Sequence, residues 1–325
     1  MNTFGWLVKR EYWEHKGGFY WTPVWVSGIM LLLTVLGIMA AEVFTSRANI
    51  QVNGGIPWEL ISERLSAGDF VNAGLGLDLA YVALVALLCV VLFFVVFFYL
   101  LGALYDDRRD RSVFFWKSLP VTDTATVLSK IAAALLLAPL LSLVVATLAY
   151  VVLLLIVCVW AMLHGINPLP AIGASHMLGL LWRMILTIPL DAMVALPTAG
   201  WLLFWSAYAR SKPFLWAVLV PLFALIANSW IGLMGLPSLS RDFLLNEVLA
   251  RLLFGIFPGW WLDDRNPTFG SFKDSLENKN VLATLDPANV YGLLATPGIW
   301  IGAAAGIALI AASIWLRRTR IETST

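Results

Sequence analysis

Three observations predict an all-α integral membrane protein with six transmembrane helices. Of 325 residues, 60% are hydrophobic and 13% charged, against roughly half and a quarter in soluble domains. The apolar residues gather into runs long enough to cross a ~30 Å hydrocarbon core. Lysine and arginine collect in the short connections between alternate runs, as the positive-inside rule requires of cytoplasmic loops. A net charge of +1 and the lack of a basic patch with a reading motif say nothing in favour of nucleic acid, and no such partner is expected. Cys89 and Cys158 lie inside apolar runs and offer neither a disulfide framework nor zinc spacing.

Residues 1–22 predict an amphipathic helix lying on the cytoplasmic face. Phe4, Leu7, Val8 and Tyr12 share helical spacing, Lys9, Arg10 and Glu14 fall mostly elsewhere, and Glu11 interrupts the apolar face. Gly17-Gly18 reads as a break, and Phe19-Tyr20-Trp21 as an aromatic belt before the membrane. Residues 24–41 form the first span. The twenty-odd mixed-charge residues before it fit an uncleaved span better than a signal peptide. Residues 42–78 are polar, with acids in excess, and read as an outer segment containing a short helix around Trp58, Ile61 and Leu65.

The second span covers residues 79–104, and the third covers 131–163. The latter would make about 50 Å of helix at 1.5 Å per residue, so it must tilt, kink near Pro139 or project beyond the membrane. A fourth span lies within residues 172–208, interrupted by Arg183, Pro189, Asp191 and Pro197. Residues 214–233 give the fifth span, 236–298 a second outer segment, and 299–316 the sixth. Lys9, Arg10 and Lys16 at one end, and Arg317, Arg318 and Arg320 at the other, put both termini in the cytoplasm.

Chemistry-bearing motifs are scarce. There is no Gly-x-x-x-x-Gly-Lys-[Ser/Thr], no His-Glu-x-x-His and no Gly-x-Ser-x-Gly. The chain is therefore not expected to hydrolyse ATP, nor to hold a metal or cofactor. His164 and His176 fall in one outer region but lack a third ligand. Arg183 and Asp191 read as the charges within the spans, either as interfacial anchors or as the lining of an exit path. Residues 241–256 predict an amphipathic helix with Leu244, Leu245, Val248, Leu249, Leu252, Leu253 and Ile256 on one face. Its apolar face either dips into the outer leaflet or packs on the spans.

The stretch from Tyr105 to Lys130 is the most distinctive. Asp107 to Arg111 alternate acid and base, Val113 to Trp116 are apolar and aromatic, Ser118-Leu119-Pro120-Val121 turns the chain, and Lys130 precedes the next span. This order resembles the cytoplasmic loop of ABC-2 type ABC exporter permeases, although Ser112-Val113 stands where that family often has Gly-Thr. The resemblance extends to the N-terminal surface helix, the six spans and the outer segment between spans five and six, so that residues 1–325 read as one such domain. It implies a permease that pairs, as a homodimer in the cell's inner membrane, and binds a separate ATPase subunit carrying ATP and Mg. The contact would be made by Arg108, Arg109, Arg111, Val113, Phe114, Phe115, Trp116, Lys117 and Leu119. It further implies outward movement of a substrate, for which the long aromatic spans favour an amphiphilic, drug-like or lipid-linked molecule over an ion. Arg183, Asp191, Leu252 and Leu253 are the candidates for lining its exit path. The alternative is an integral-membrane enzyme or a scaffold without transport.

Overall fold

The computed structural model describes residues 3–51, 67–111, 121–260 and 285–319. The fold is all-helical, with no strand among the described residues. Six helices are long and apolar enough to cross a membrane: Gly17–Phe44, Gly68–Arg109, Asp123–Leu163, Leu169–Tyr208, Pro213–Leu233 and Pro297–Thr319.

The N-terminal helix α1 runs Thr3–Glu14. A π-helical turn, Gly17–Trp21, joins it to α2, Thr22–Gln51. The two glycines therefore do not end helical structure; they widen it, after a turn at His15. Helix α3, Ala67–Gly102, begins about three turns before the expected span and takes Asp78 into its interior. The short α4, Tyr105–Arg109, follows directly.

Helix α5, Asp123–Ala132, starts eight residues ahead of the expected Ile131. Thr122 explains the early start: it is extended, and its side chain accepts a hydrogen bond from Ala125 N, the arrangement of a helix N-cap. Lys130 is thus inside a helix rather than in the loop. A π segment, Ala133–Leu137, links α5 to α6, Ala138–Leu163. Pro139 has no N–H for the carbonyl four residues earlier. A proline and a π segment, both standard causes of helix distortion, coincide at the place where a kink, one of the three expected accommodations, would fall.

After the short α7, Leu169–Ala174, helix α8 runs unbroken from Met177 to Tyr208 through Pro189 and Pro197. Lys212, in the left-handed region at φ 49°, reverses the chain into α9, Pro213–Leu233. The expected helix at 241–256 forms, but differently. Phe243–Leu249 is π-helical, the α-helical α10 is only Ala250–Leu253, and turns follow. Then come α11, Pro287–Gly292, a 3-10 turn, Leu293–Ala295, and α12, Pro297–Thr319.

The chain divides into two compact units, Met1–Lys16 with Leu92–Leu140 and Leu186–Thr325, and Gly17–Val91 with Leu141–Ile185. In the second unit, Trp25, Leu32, Leu36 and Phe44 of α2 are exposed, as a lipid-facing surface requires. In the first, α8 and α12 touch backbone to backbone. A Cβ on Gly200 would lie 2.6 Å from the Gly306 carbonyl oxygen, and one on Gly306 would collide with the Leu196 carbonyl carbon. Only glycine permits that approach, the small-residue packing by which membrane helices associate.

A direct test follows. Gly306→Ala forces the helices apart and should destabilise the protein by roughly 1–3 kcal/mol, the usual overpacking range. Gly37→Ala in α2 meets nothing within 4 Å, and alanine is the better helix former by up to ~1 kcal/mol. Thermal unfolding in detergent should place Gly306→Ala below the parent and Gly37→Ala at or above it. Equal melting of Gly306→Ala and parent would show that the crossing is looser than described.

Candidate functional site

The residue that spoils the apolar face of α1 is the centre of the site. Glu11 is fully buried, and its carboxylate is matched on every side. Oε1 pairs with the Arg10 guanidinium. Oε2 accepts from the Tyr99 hydroxyl at 2.9 Å and from Lys130 Nζ at 3.4 Å. Lys130 Nζ also lies 3.5 Å from Asp107 Oδ2. Asp107 in turn pairs with Arg317 Nη1 at 3.4 Å, and Arg317 Nε reaches Asp123 Oδ1 at 3.1 Å.

Read along its contacts, the set is Arg10, Glu11, Lys130, Asp107, Arg317, Asp123: cation and anion alternate throughout. These three positive and three negative groups balance one another, and the more exposed Glu14 adds a further carboxylate 3.4 Å from Arg10 Nε. The central members are hidden, with side-chain exposures of 0% for Glu11, 2% for Lys130 and 4% for Arg317. A lone buried ion would face a desolvation penalty of several kcal/mol, so burial of this kind is tolerated only where charges are paired and hydrogen-bonded.

Local sequence explains each position. Glu11 lies one turn beyond Leu7 on the buried face of α1. Lys130 follows Thr126, Val127 and Ser129 along the buried face of α5. Arg317 closes the last turn of α12, where a cation is favoured by the helix dipole. Burial alone would raise the Glu11 carboxyl. Lys130, Arg10 and Tyr99 outweigh it and hold the group below its ordinary 4.5. Glu14 moves the other way, because burial is only partly offset by Arg10.

A second set of contacts fixes α4. Ser206 Oγ accepts from the backbone N–H groups of Leu104 and Tyr105 at 2.9 and 3.0 Å. Arg108 Nη2 donates to the carbonyls of Ser206 and Ala209. Arg108 is therefore engaged by its own chain, whereas Arg109 and Arg111 are exposed. The remaining expected contact residues, Val113, Phe114, Phe115, Trp116, Lys117 and Leu119, lie outside the described residues.

The other sequence-predicted residues are distributed as follows. Asp191 accepts a hydrogen bond from Gly259 N at 3.0 Å. Arg183, half-buried, sits eight residues earlier on the same helix. Leu253 is buried and Leu252 half-buried. Their segment packs on the spans, since Thr198 Oγ1 donates to the Arg251 carbonyl and Phe254 stacks on Phe93 at 5.8 Å. Arg183 and Asp191 are not the only charges within the spans: Asp78, Asp107, Asp123, Lys130 and Arg317 also lie in span helices. Asp107, Asp123, Lys130 and Arg317 sit near helix ends, and Asp78 sits inside a helix that begins before the hydropathy rises, so composition assigns all five to connections.

Asp78, in the second unit, is the clearest omission. Its carboxylate accepts from Ser175 Oγ at 2.7 Å and from His176 N at 2.9 and 3.1 Å, at the N-terminus of α8. That is a helix cap supplied by another helix. His164 and His176 do not converge on one ligand. His176 pairs with Asp78 at 3.4 Å and His164 with Glu42 at 3.6 Å. Glu11, Glu14 and His15 do bring ligand atoms within 4.8 Å of one another, but a cation there would face Arg10 and Lys130, and the set does not fit a metal.

Fold and charge placement together define a multi-span helical membrane protein with a buried ionic chain joining α1, α5 and α12. No protein-family model matches the chain, and neither a curated protein nor a solved structure does so.

The ionic chain predicts non-additive mutations. Glu11→Leu and Lys130→Met should each destabilise by up to about 3–5 kcal/mol, the cost of stranding a buried partner. The double variant should lose clearly less than the sum of the two, as judged by denaturant titration in detergent. The pH dependence has a definite sign. Because Glu11 is depressed when folded, its stabilisation is present above about 4.5 and is lost as the pH falls through the lower folded value. Glu11→Gln should flatten that acid limb. Additive single losses, or an unchanged acid limb, would deny Glu11 this role.

Proposed function

We propose that the chain is the membrane-spanning subunit of an ABC-2 type exporter, working as a homodimer with a separate ATP-hydrolysing subunit. The observation that carries this reading is the tethering on both sides of residues 112–120. On one side, α4 is held by Ser206 and Arg108. On the other, α5 is held by Lys130 and Asp123 through Glu11, Asp107 and Arg317. A push on the segment between them is delivered to α1, α8 and α12 without slack, as a coupling element needs. The segment itself carries Phe114, Phe115 and Trp116 between bases, the composition of an interface with aromatic anchors and a charged rim.

In this reading ATP and Mg belong to the partner, and this chain is not itself an enzyme. Both termini and the 112–120 segment face the cytoplasm of an inner membrane, and residues 236–298 face outward. The cargo is an amphiphile, drug-like or lipid-linked. Exposed Arg109 and Arg111 steer the partner electrostatically, while Arg108 stiffens the base of the loop.

The test is capture of the ATPase subunit by the tagged chain, with reporter fusions after Ala41 and Arg320 placed outside and inside respectively. Phe114→Ala, Phe115→Ala and Trp116→Ala are made singly. The anchoring aromatic should cost about 2 kcal/mol, roughly thirtyfold in affinity. Asp123→Asn should leave capture intact yet reduce substrate-stimulated ATP turnover. Failure of any ATPase subunit to co-purify, or ATP hydrolysis by the chain alone, would refute the reading.

A further inference from the structure

A cavity of about 330 Å³ opens in the first unit between α8, the π segment with α10, and the start of α12. Its size lies at the lower end of ligand sites, ~300–1,000 Å³. The ionic chain does not reach it. Its walls combine apolar side chains, including Met193, Val194 and Ile299, with the Asn246 amide, the Trp260 ring and one ion pair.

That pair is Arg251 and Glu247, with Nη2 to Oε2 at 2.8 Å. Unlike the enclosed chain at Glu11, it is open, with side-chain exposures of 32% and 49%. The arginine is held in place. Nη1 donates to the Gly298 carbonyl at 2.8 Å. A Cβ on Gly298 would come within 3.3 Å of Nη2, and one on Gly302 within 3.5 Å of Nη1. Two glycines one turn apart on α12 thus make a seat for a flat guanidinium. Among the described residues its remaining N–H donors, and the second oxygen of Glu247, are uncommitted.

We propose that this cavity binds the headgroup of a zwitterionic lipid, phosphate against Arg251 and ammonium against Glu247 and Trp260. The charge arrangement selects for this class. An anion alone would meet Arg251 but be opposed by Glu247, and a cation alone would meet the reverse. A zwitterion laid antiparallel to the pair satisfies both, and each charge keeps an opposite neighbour. The indole face adds a cation–π contact for the ammonium. The Met193, Val194 and Ile299 wall gives the adjoining chain an apolar surface. The assignment stands whether or not an ATPase drives the protein.

Binding to the full-length protein in maltoside detergent tests it, with four probes. They are lysophosphatidylethanolamine, lysophosphatidylglycerol, an alkyltrimethylammonium of matched chain length, and chainless glycerophosphoethanolamine. The zwitterionic lipid should bind at least tenfold more tightly than either singly charged amphiphile, and more tightly than the chainless headgroup. Glu247→Gln, at an exposed site that folding tolerates, should erase most of that preference by weakening the zwitterion and strengthening the anion. Arg251→Gln should weaken both phosphate-bearing lipids, with thermal unfolding as the control for its seat. Equal affinities across the three amphiphiles, or a Glu247→Gln protein with the parent's preference, would overturn the proposal. Equal binding of the chainless headgroup would overturn its lipid character.

Discussion

A charge withdrawn from water must find its opposite within a few ångströms, and in this protein that rule governs where four helices meet. Glu11 is buried on α1 only because Lys130, Arg10 and Tyr99 surround it. Lys130 is tolerated on α5 because Glu11 and Asp107 share its ammonium. Arg317 completes the alternation from α12. No member can be moved without stranding the next, so the positions of α1, α4, α5 and α12 are mutually specified. Buried ion pairs are weak sources of net stability, but their geometric demands restrict which arrangements are acceptable.

Two ionic sites in the first unit solve different problems. The chain at Glu11 is closed: oppositely charged groups occupy both sides of its inner members, and little surface remains for a newcomer. The Arg251–Glu247 pair is open, seated by backbone and glycine on one side and facing a cavity on the other. Closed networks hold helices together. Open pairs keep valences for a visitor. The distinction comes from neighbours, since both sites are built from the same few residue types.

The spans were legible because long apolar runs have few alternative fates, and the centres of all six match. Their ends were less legible. Span helices begin at Gly68 and Asp123 rather than where hydropathy rises, because capping and partner charges let polar residues continue a helix. Thr122 before Asp123 was a readable N-cap signal. Glu11 also left a trace, as one acid on an otherwise apolar helical face, which is the pattern of a buried partner awaiting its cation. The partner itself was not readable, since Lys130 lies 119 residues away and only folding joins them. The π geometry of Phe243–Leu249 likewise escaped an α-helical wheel, whose 3.6-residue period does not hold there. The cavity at Arg251 depended on the close approach of three separate helical segments, which no local pattern encodes.

The sequence separations within the ionic chain also set an order of events at the ribosome. Arg317 meets Asp123 across 194 residues and Asp107 across 210. At synthesis rates of ~5–20 residues per second, the two aspartates wait roughly 10–40 s for their cation. During that interval α1 and α5 can already associate through Glu11 and Lys130, while Asp107 and Asp123 lack one counter-charge. Nascent chains that stall before α12 therefore expose an acidic, incompletely matched helix junction. Arrival of Arg317 supplies the missing counter-charge, so that a single late residue distinguishes a finished bundle from an unfinished one.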